Sequence, residues 1–197
     1  MSRRTGDRDG MPGKPGDPDV RTLSSRLVYE DRWITLRQDE IERRDGSRGS
    51  YAVIDRRDFA LVIPAAGGGF HLVEEYRYPI RRRTWSFPQG GFPAGADGSP
   101  EELARLELAQ ETGLRARRLT RLGFLHCCHG MTSQGFTAFL ATGLTPGEPE
   151  REPEEQDMRH QWVTRSRFED MIGEGLITDD STLAAYTLLL LHEGRQG

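Results

Sequence analysis

Lysine is almost missing from this chain. Lys14 is the single example, and every other one of the 27 basic side chains is arginine, as the codon usage of a GC-rich genome produces. Cysteine is nearly as scarce: the chain holds two, and they are neighbours, Cys127 and Cys128. Adjacent residues in an extended chain point to opposite sides, so a disulfide framework is excluded. The quartet His126-Cys127-Cys128-His129 is no better as a zinc site, because paired zinc ligands are usually separated by two to four residues. A buried strand end is its simpler reading, in a reducing, cytoplasmic setting. No apolar run approaches the roughly 20 residues of a membrane span. The run at 188–191 is far too short. The first residues carry charges and no apolar stretch, so no secretory signal is expected. A net charge of -4 provides no basic surface for nucleic acid. No internal repeat is present.

What remains is a soluble globular composition, 35% hydrophobic and 29% charged, long enough for one domain with a well-buried core. Residues 1–22 are rich in Gly, Pro, Asp and Arg and predict a disordered tail. Residues 23–57 predict a small antiparallel β subdomain. Leu27-Val28-Tyr29, Trp33-Ile34-Thr35-Leu36 and Tyr51-Ala52-Val53-Ile54 are β-formers, with a turn at Asp45-Gly46. Such a sheet is not stable alone and requires a partner, another subunit included. Residues 58–197 predict the main domain. It opens with a hairpin, strand 59–64 turning at Gly67-Gly68-Gly69 into strand 70–79. Arg81-Arg82-Arg83 beside Trp85 is either a phosphate clamp or a solvated loop. Further strands are expected at 118–128, 136–142 and through Trp162, with helices at 168–173 and near the C-terminus. The last helix is expected to start at Thr178 or Asp179 and bury Leu183, Ala184, Tyr186, Thr187 and Leu190.

The most informative stretch is 99–114. Ser99 caps, Pro100 suits the first helical position, Glu102 completes a capping box, and Gly113 closes the last turn. Between them Glu107 and Glu111, four apart, stack on one face at the rim of buried Leu103 and Ala104. Two readings follow: a solvated face whose glutamates pair with arginines, or a site for a divalent cation. Oxygen-only ligands with open positions suit Mg2+ or Mn2+, which keep waters and take substrate phosphates.

Phe87-Pro88-Gln89-Gly90-Gly91, a Gly-rich loop, and Glu107-Leu108-Ala109-Gln110-Glu111-Thr112-Gly113-Leu114 resemble the Nudix box, G-x5-E-x7-R-E-U-x-E-E-x-G-U with U aliphatic. Glu107, Leu108, Glu111, Gly113 and Leu114 match. Leu106 stands at the arginine, Gln110 at a glutamate, Gly98 at the first glutamate and Phe92 at the first glycine. The loop after Gly90 is longer than the pattern, Ser86 stands where relatives often have glutamate, and so does Gln134. In order along the chain, Glu75-Tyr76-Arg77-Tyr78-Pro79, Trp85-Ser86-Phe87-Pro88-Gln89-Gly90, the box helix, His129-Gly130-Met131-Thr132-Ser133-Gln134 and Glu154-Glu155-Gln156-Asp157-Met158 resemble the ADP-ribose pyrophosphatase branch.

The resemblance implies an α/β fold, the Nudix α/β/α sandwich around a mixed sheet, with the N-terminal strands building a homodimer. It implies hydrolysis of the diphosphate bond of ADP-ribose or a related nucleoside diphosphate sugar. Glu107, Glu111 and the carbonyl of Gln89 would hold magnesium. Arg77 would contact the diphosphate, with Trp85 and Gln134 also binding substrate, and Glu154 or Glu155 would orient or deprotonate the water. For those two glutamates a solvated acidic loop is the competing account. For the whole chain the competing account is a catalytically silent Nudix domain that binds a nucleotide ligand or a protein partner.

Overall fold

A computed structural model describes residues 19–92, 95–151 and 157–196. The N-terminal part is a three-stranded antiparallel meander of β1 (Val20–Glu30), β2 (Thr35–Arg43) and β3 (Arg48–Asp55). Gly46 supplies the positive φ of the β2–β3 turn at +79°, and Asp45 Oδ1 accepts from Ser47 N at 2.9 Å. Residues 20–22, expected in the tail, belong to β1, because their backbone pairs with β2. Residues 1–18 of that tail lie outside the described residues. Trp33 and Ile34 fall in the turn before β2, where both main-chain N–H groups donate to Asp31 Oδ1. All of β1 is solvent-exposed, including Leu27 at 56% and Tyr29 at 51%.

The main sheet contains β4 (Phe59–Ala66), β5 (Gly69–Arg77), β6 (Arg82–Ser86), β7 (Gln89–Gly90), β8 (Arg115–His126), β9 (Gly135–Thr145) and β10 (Arg159–Thr164). The strands run in the order β10-β5-β4-β9-β8, with β6 on β5 and β7 on β4. β4 and β9 are parallel and the other pairs antiparallel, so the sheet is mixed as expected. Successive residues of a strand face opposite sides, and β4 uses both. Leu61 and Ile63 join one apolar cluster with α2 (Arg165–Gly173) and α3 (Asp180–Glu193). Ala60 and Val62 join another beneath α1 (Pro100–Thr112). Those two layers with the sheet between them make the α/β/α sandwich.

α1 ends where the sequence says it should. Ser99 and Glu102 form the capping box, Pro100 opens the first turn, and Gly113 closes the last with φ 75°. In α3 the cap is Asp179, but the buried row is Thr182, Ala185, Tyr186 and Leu189. Thr187 and Leu190 face out. This helix is apolar nearly all round, so periodicity alone had no unique face to choose. Cys127 and Cys128 are free thiols just past β8, the first half-buried and the second exposed.

Candidate active site

Glu107 and Glu111 are only 5% and 3% exposed, on the face of α1 that meets the sheet. The backbone of β7 lies against that face. A β-carbon on Gly90 would sit 2.6 Å from Glu107 Cδ and 2.7 Å from its Oε1. Only glycine lets the main chain come this close to the carboxylate. β7 itself is held by pairing with β4, Leu61 opposite Gln89 and Ala60 opposite Gly90. The other side of this segment is gripped by the start of α3. Phe87 N donates to Thr182 Oγ1 at 3.0 Å, and Gln89 Nε2 donates to Asp179 Oδ2 at 3.1 Å.

The C-terminal end of α1 anchors the acidic loop. A side chain on Gly113 would come within 2.9 Å of Pro149 N, so glycine is needed there for spacing as well as for conformation. Glu150 N donates to Gln110 O at 3.1 Å. Arg151 donates to Glu111 O through Nε at 3.3 Å and Nη2 at 3.4 Å, and to Met158 O through Nη1 at 2.6 Å. A guanidinium at this end also complements the helix dipole. Glu154 and Glu155 lie outside the described residues. The nearest described residues, Arg151 before and Asp157 after, are both tied down, the latter accepting from Arg83 Nη1 at 2.7 Å. Arg83 also donates to Glu74 Oε2 at 2.9 Å. Arg82, whose Nη2 donates to Thr178 Oγ1, is engaged within the chain as well, and both arginines lie on strand β6 rather than in a loop.

A cavity of about 420 Å³ opens beside Gln89 and Gly90. Of the residues singled out from sequence, it gathers Arg77, Gln89 and Gln134. Arg77 is ion-paired with Glu75, and Gln134 Nε2 donates to Arg57 O at 2.7 Å. Trp85 is elsewhere: its ring packs on the main core and its main-chain N–H donates to Leu176 O at 3.1 Å. Sequence reasoning missed Arg32, Trp33, Arg56 and Arg57, which come from the N-terminal meander and the linker after it. The Arg32 guanidinium lies 4.5 Å over the Trp33 ring. The Arg-Trp and Arg-Arg pairs were visible in the sequence, but no motif joined them to the box. With Arg77 they put four guanidinium groups in a lining that also holds Asp179 and Asp180. Arg57 is paired with Asp97 and Arg77 with Glu75, so an anionic ligand would be recognised by guanidinium donors rather than by excess charge.

Phe92 also lines the cavity and accounts for two departures from the box pattern. A β-carbon on Gly98 would meet Phe92 Cζ at 2.6 Å, so the absence of a side chain at 98 is what makes room for the ring. Phe92 and Leu106 each pack against the apolar cluster under α1, Leu106 putting apolar contact where the pattern has arginine. Near the end of the acidic loop, His160 Nε2 and His71 Nδ1 stand 3.0 Å apart. Burial, then His71, then Arg151 push His160 down to about 4. Burial lowers His71 as well.

Family models match nearly all of the described chain. Residues 20–54 match the nucleoside diphosphate sugar hydrolase N-terminal domain, and residues 55–184 match the NUDIX domain. An ADP-ribose pyrophosphatase of Bacillus subtilis is 24% identical over 178 residues, 89% of this chain and 95% of the relative. A methanol dehydrogenase activator of Bacillus methanolicus is 23% identical over 175 residues, 88% and 94% of the two chains. The crystal structure of an ADP compounds hydrolase shares the fold with a TM-score of 0.80 at 20% identity, covering 93% of this chain and 99% of that one.

Proposed function

The chain belongs to the NUDIX family, and on that premise we propose that it hydrolyses the diphosphate bond of ADP-ribose or a related nucleoside diphosphate sugar. The observation that carries this reading is the seating of two buried carboxylates, Glu107 and Glu111, on the helix face against which the Gln89–Gly90 backbone lies, beside a cavity with four arginines. The names of the two hydrolase relatives support the substrate class.

The donor set fits Mg2+ or Mn2+. Glu107, Glu111 and the main-chain carbonyl of Gln89 offer hard oxygen ligands only. Among the described residues no group of three or more His, Cys, Asp or Glu side chains could hold a metal ion. Water and phosphate oxygens would complete the shell, as magnesium favours. When bound, such an ion neutralises diphosphate charge and makes water more acidic. Gly90 keeps the carboxylate of Glu107 in place by leaving it room. Arg77 grips the diphosphate, with Arg56 and Arg57 adding positive charge on the same wall. Gln134 borders the substrate. Glu154 or Glu155 orients or deprotonates the attacking water, from a loop whose start Arg151 ties to the last turn of α1. Trp85 keeps a packing role only.

Residues 23–57, with the rest of β1, form the dimerisation unit, since the apolar side chains of β1 have no cover among the described residues. Among the described residues no helix is long and apolar enough to cross a membrane. A cytoplasmic location rests on the two free thiols. The test is a panel of nucleoside diphosphate sugars with Mg2+ or Mn2+, followed by chromatography of the nucleotide products. ADP-ribose is expected to give AMP and ribose 5-phosphate, and Glu107→Gln with Glu111→Gln to reduce the rate at least a hundredfold. Absence of metal-dependent cleavage across the panel would sink the proposal.

A further inference from the structure

The side-chain amide of Gln89 is held in one orientation by a carboxylate. Its Nε2 donates to Asp179 Oδ2, the same oxygen that accepts from Thr182 N at 2.8 Å and caps α3. An ionised carboxylate can only accept, so the amide must turn its nitrogen toward Asp179. Its Oε1 is then left buried, with no hydrogen-bond partner among the described residues. Buried carbonyl oxygens are nearly always partnered, and one left empty is destabilising. The main chain of the same residue is fixed by its pairing with Leu61. Gln89 therefore cannot satisfy Oε1 by moving its backbone, and flipping the amide would set Oε1 against Asp179.

We infer that the Gln89 side chain is a ligand-binding group whose Oε1 accepts a hydrogen bond from an O–H seated in the cavity, and that Asp179 is the positioning residue that orients it. The O–H belongs either to a water of a bound divalent cation or to a hydroxyl of the nucleotide sugar. This deepens the hydrolase reading and rests on it.

Two variants test it. Gln89→Met keeps the length and removes both polar atoms. Asp179→Asn keeps a good helix cap, but its own amide can donate as well as accept, so the orientation of Gln89 is no longer imposed. For each, the melting temperature is measured without ligand, then during Mn2+ titration, and KM and kcat for ADP-ribose are measured at saturating Mg2+. The metal-free Gln89→Met protein is expected to melt within a few degrees of wild type, because the lost bond to Asp179 is offset by the removal of an unsatisfied buried acceptor. Its ligand affinity is expected to fall roughly threefold to tenfold, the range of one hydrogen bond. A loss already present in the nucleotide-free Mn2+ titration assigns the O–H to metal-bound water. A loss confined to KM assigns it to the sugar. Because Asp179→Asn also removes a negative charge from the cavity, it is read as a background: there Gln89→Met should cost less in the same quantity than it does in wild type, at unchanged melting temperature. If Gln89 only ties β7 to α3, Gln89→Met will melt lower while its metal response and KM stay at wild-type values, and the inference is overturned. A wild-type protein with no Mn2+ response and no hydrolysis overturns the underlying reading as well, before any variant is compared.

Discussion

Gly90→Ala probes the site through a single methyl group. The added carbon would lie 2.6 Å from Glu107 Cδ and closer still to Oε2, against 3.4 Å for ordinary van der Waals contact, so the carboxylate must retreat by at least 0.8 Å. The clash is with the far end of a side chain, but that side chain is 5% exposed on a helix packed between Leu103 and Leu108, which limits the retreat. Overpacking of this kind costs about 1–3 kcal/mol. For a chain of this length each kcal/mol is worth about 2–4 °C, so the melting temperature should drop by roughly 2–12 °C. The functional loss should be larger in proportion, because a metal ligand tolerates displacement of only about 0.5 Å. Wild type at a hundred times its dissociation constant for Mn2+ gains about 2.7 kcal/mol by mass action. Gly90→Ala should gain little of that. Gly173→Ala is the control, since a β-carbon there meets nothing within 4 Å. The assay is thermal shift with and without Mn2+ for all three proteins. A full wild-type metal response in Gly90→Ala would refute the assignment of Glu107 as a ligand next to β7.

Other outcomes follow from the same contacts. Thr182→Val keeps shape but leaves the buried Phe87 N–H without its acceptor, and should destabilise by about 1–3 kcal/mol in urea; an unchanged midpoint would mean that α3 does not hold this segment. Because His71 and His160 are lowered in the folded state, the unfolded chain takes up protons first as pH falls. Stability present above about pH 6.5 should therefore be lost toward pH 4, by about 1–2 kcal/mol for His160 once its partial exposure is discounted. His160→Gln should flatten that limb of the stability curve, and an equally steep limb would place the effect in other groups. Leu27→Glu with Tyr29→Arg should convert a dimer to a monomer in sedimentation at micromolar concentration, because both side chains lie on the exposed strand β1. A wild-type protein that sediments as a compact monomer removes the dimer proposal.

The sequence by itself determined what local chemistry determines. Ser99, Glu102, Pro100 and Gly113 set the ends of α1, Asp45-Gly46 and Gly67-Gly68 set two turns, and i,i+4 spacing set Glu107 and Glu111 on one face. The long strands of the main sheet were legible to within a few residues, because alternation and β-branched runs report burial along one segment at a time, whereas β6 and β7 went unseen and β2 runs well past the Trp33–Leu36 stretch expected for it. The tertiary structure decided everything that joins distant segments. It brought Gly90 against Glu107, Asp179 against Gln89, and Arg151 to the end of α1. It added Arg32, Trp33, Arg56 and Arg57 to the cavity and left Trp85 in the core. It also chose the face of α3, which the run of leucines could not. The physical reason is range: a cap or a turn is satisfied within a few residues of chain, whereas a cavity wall is made by side chains whose only relation is that the folded sheet puts them side by side.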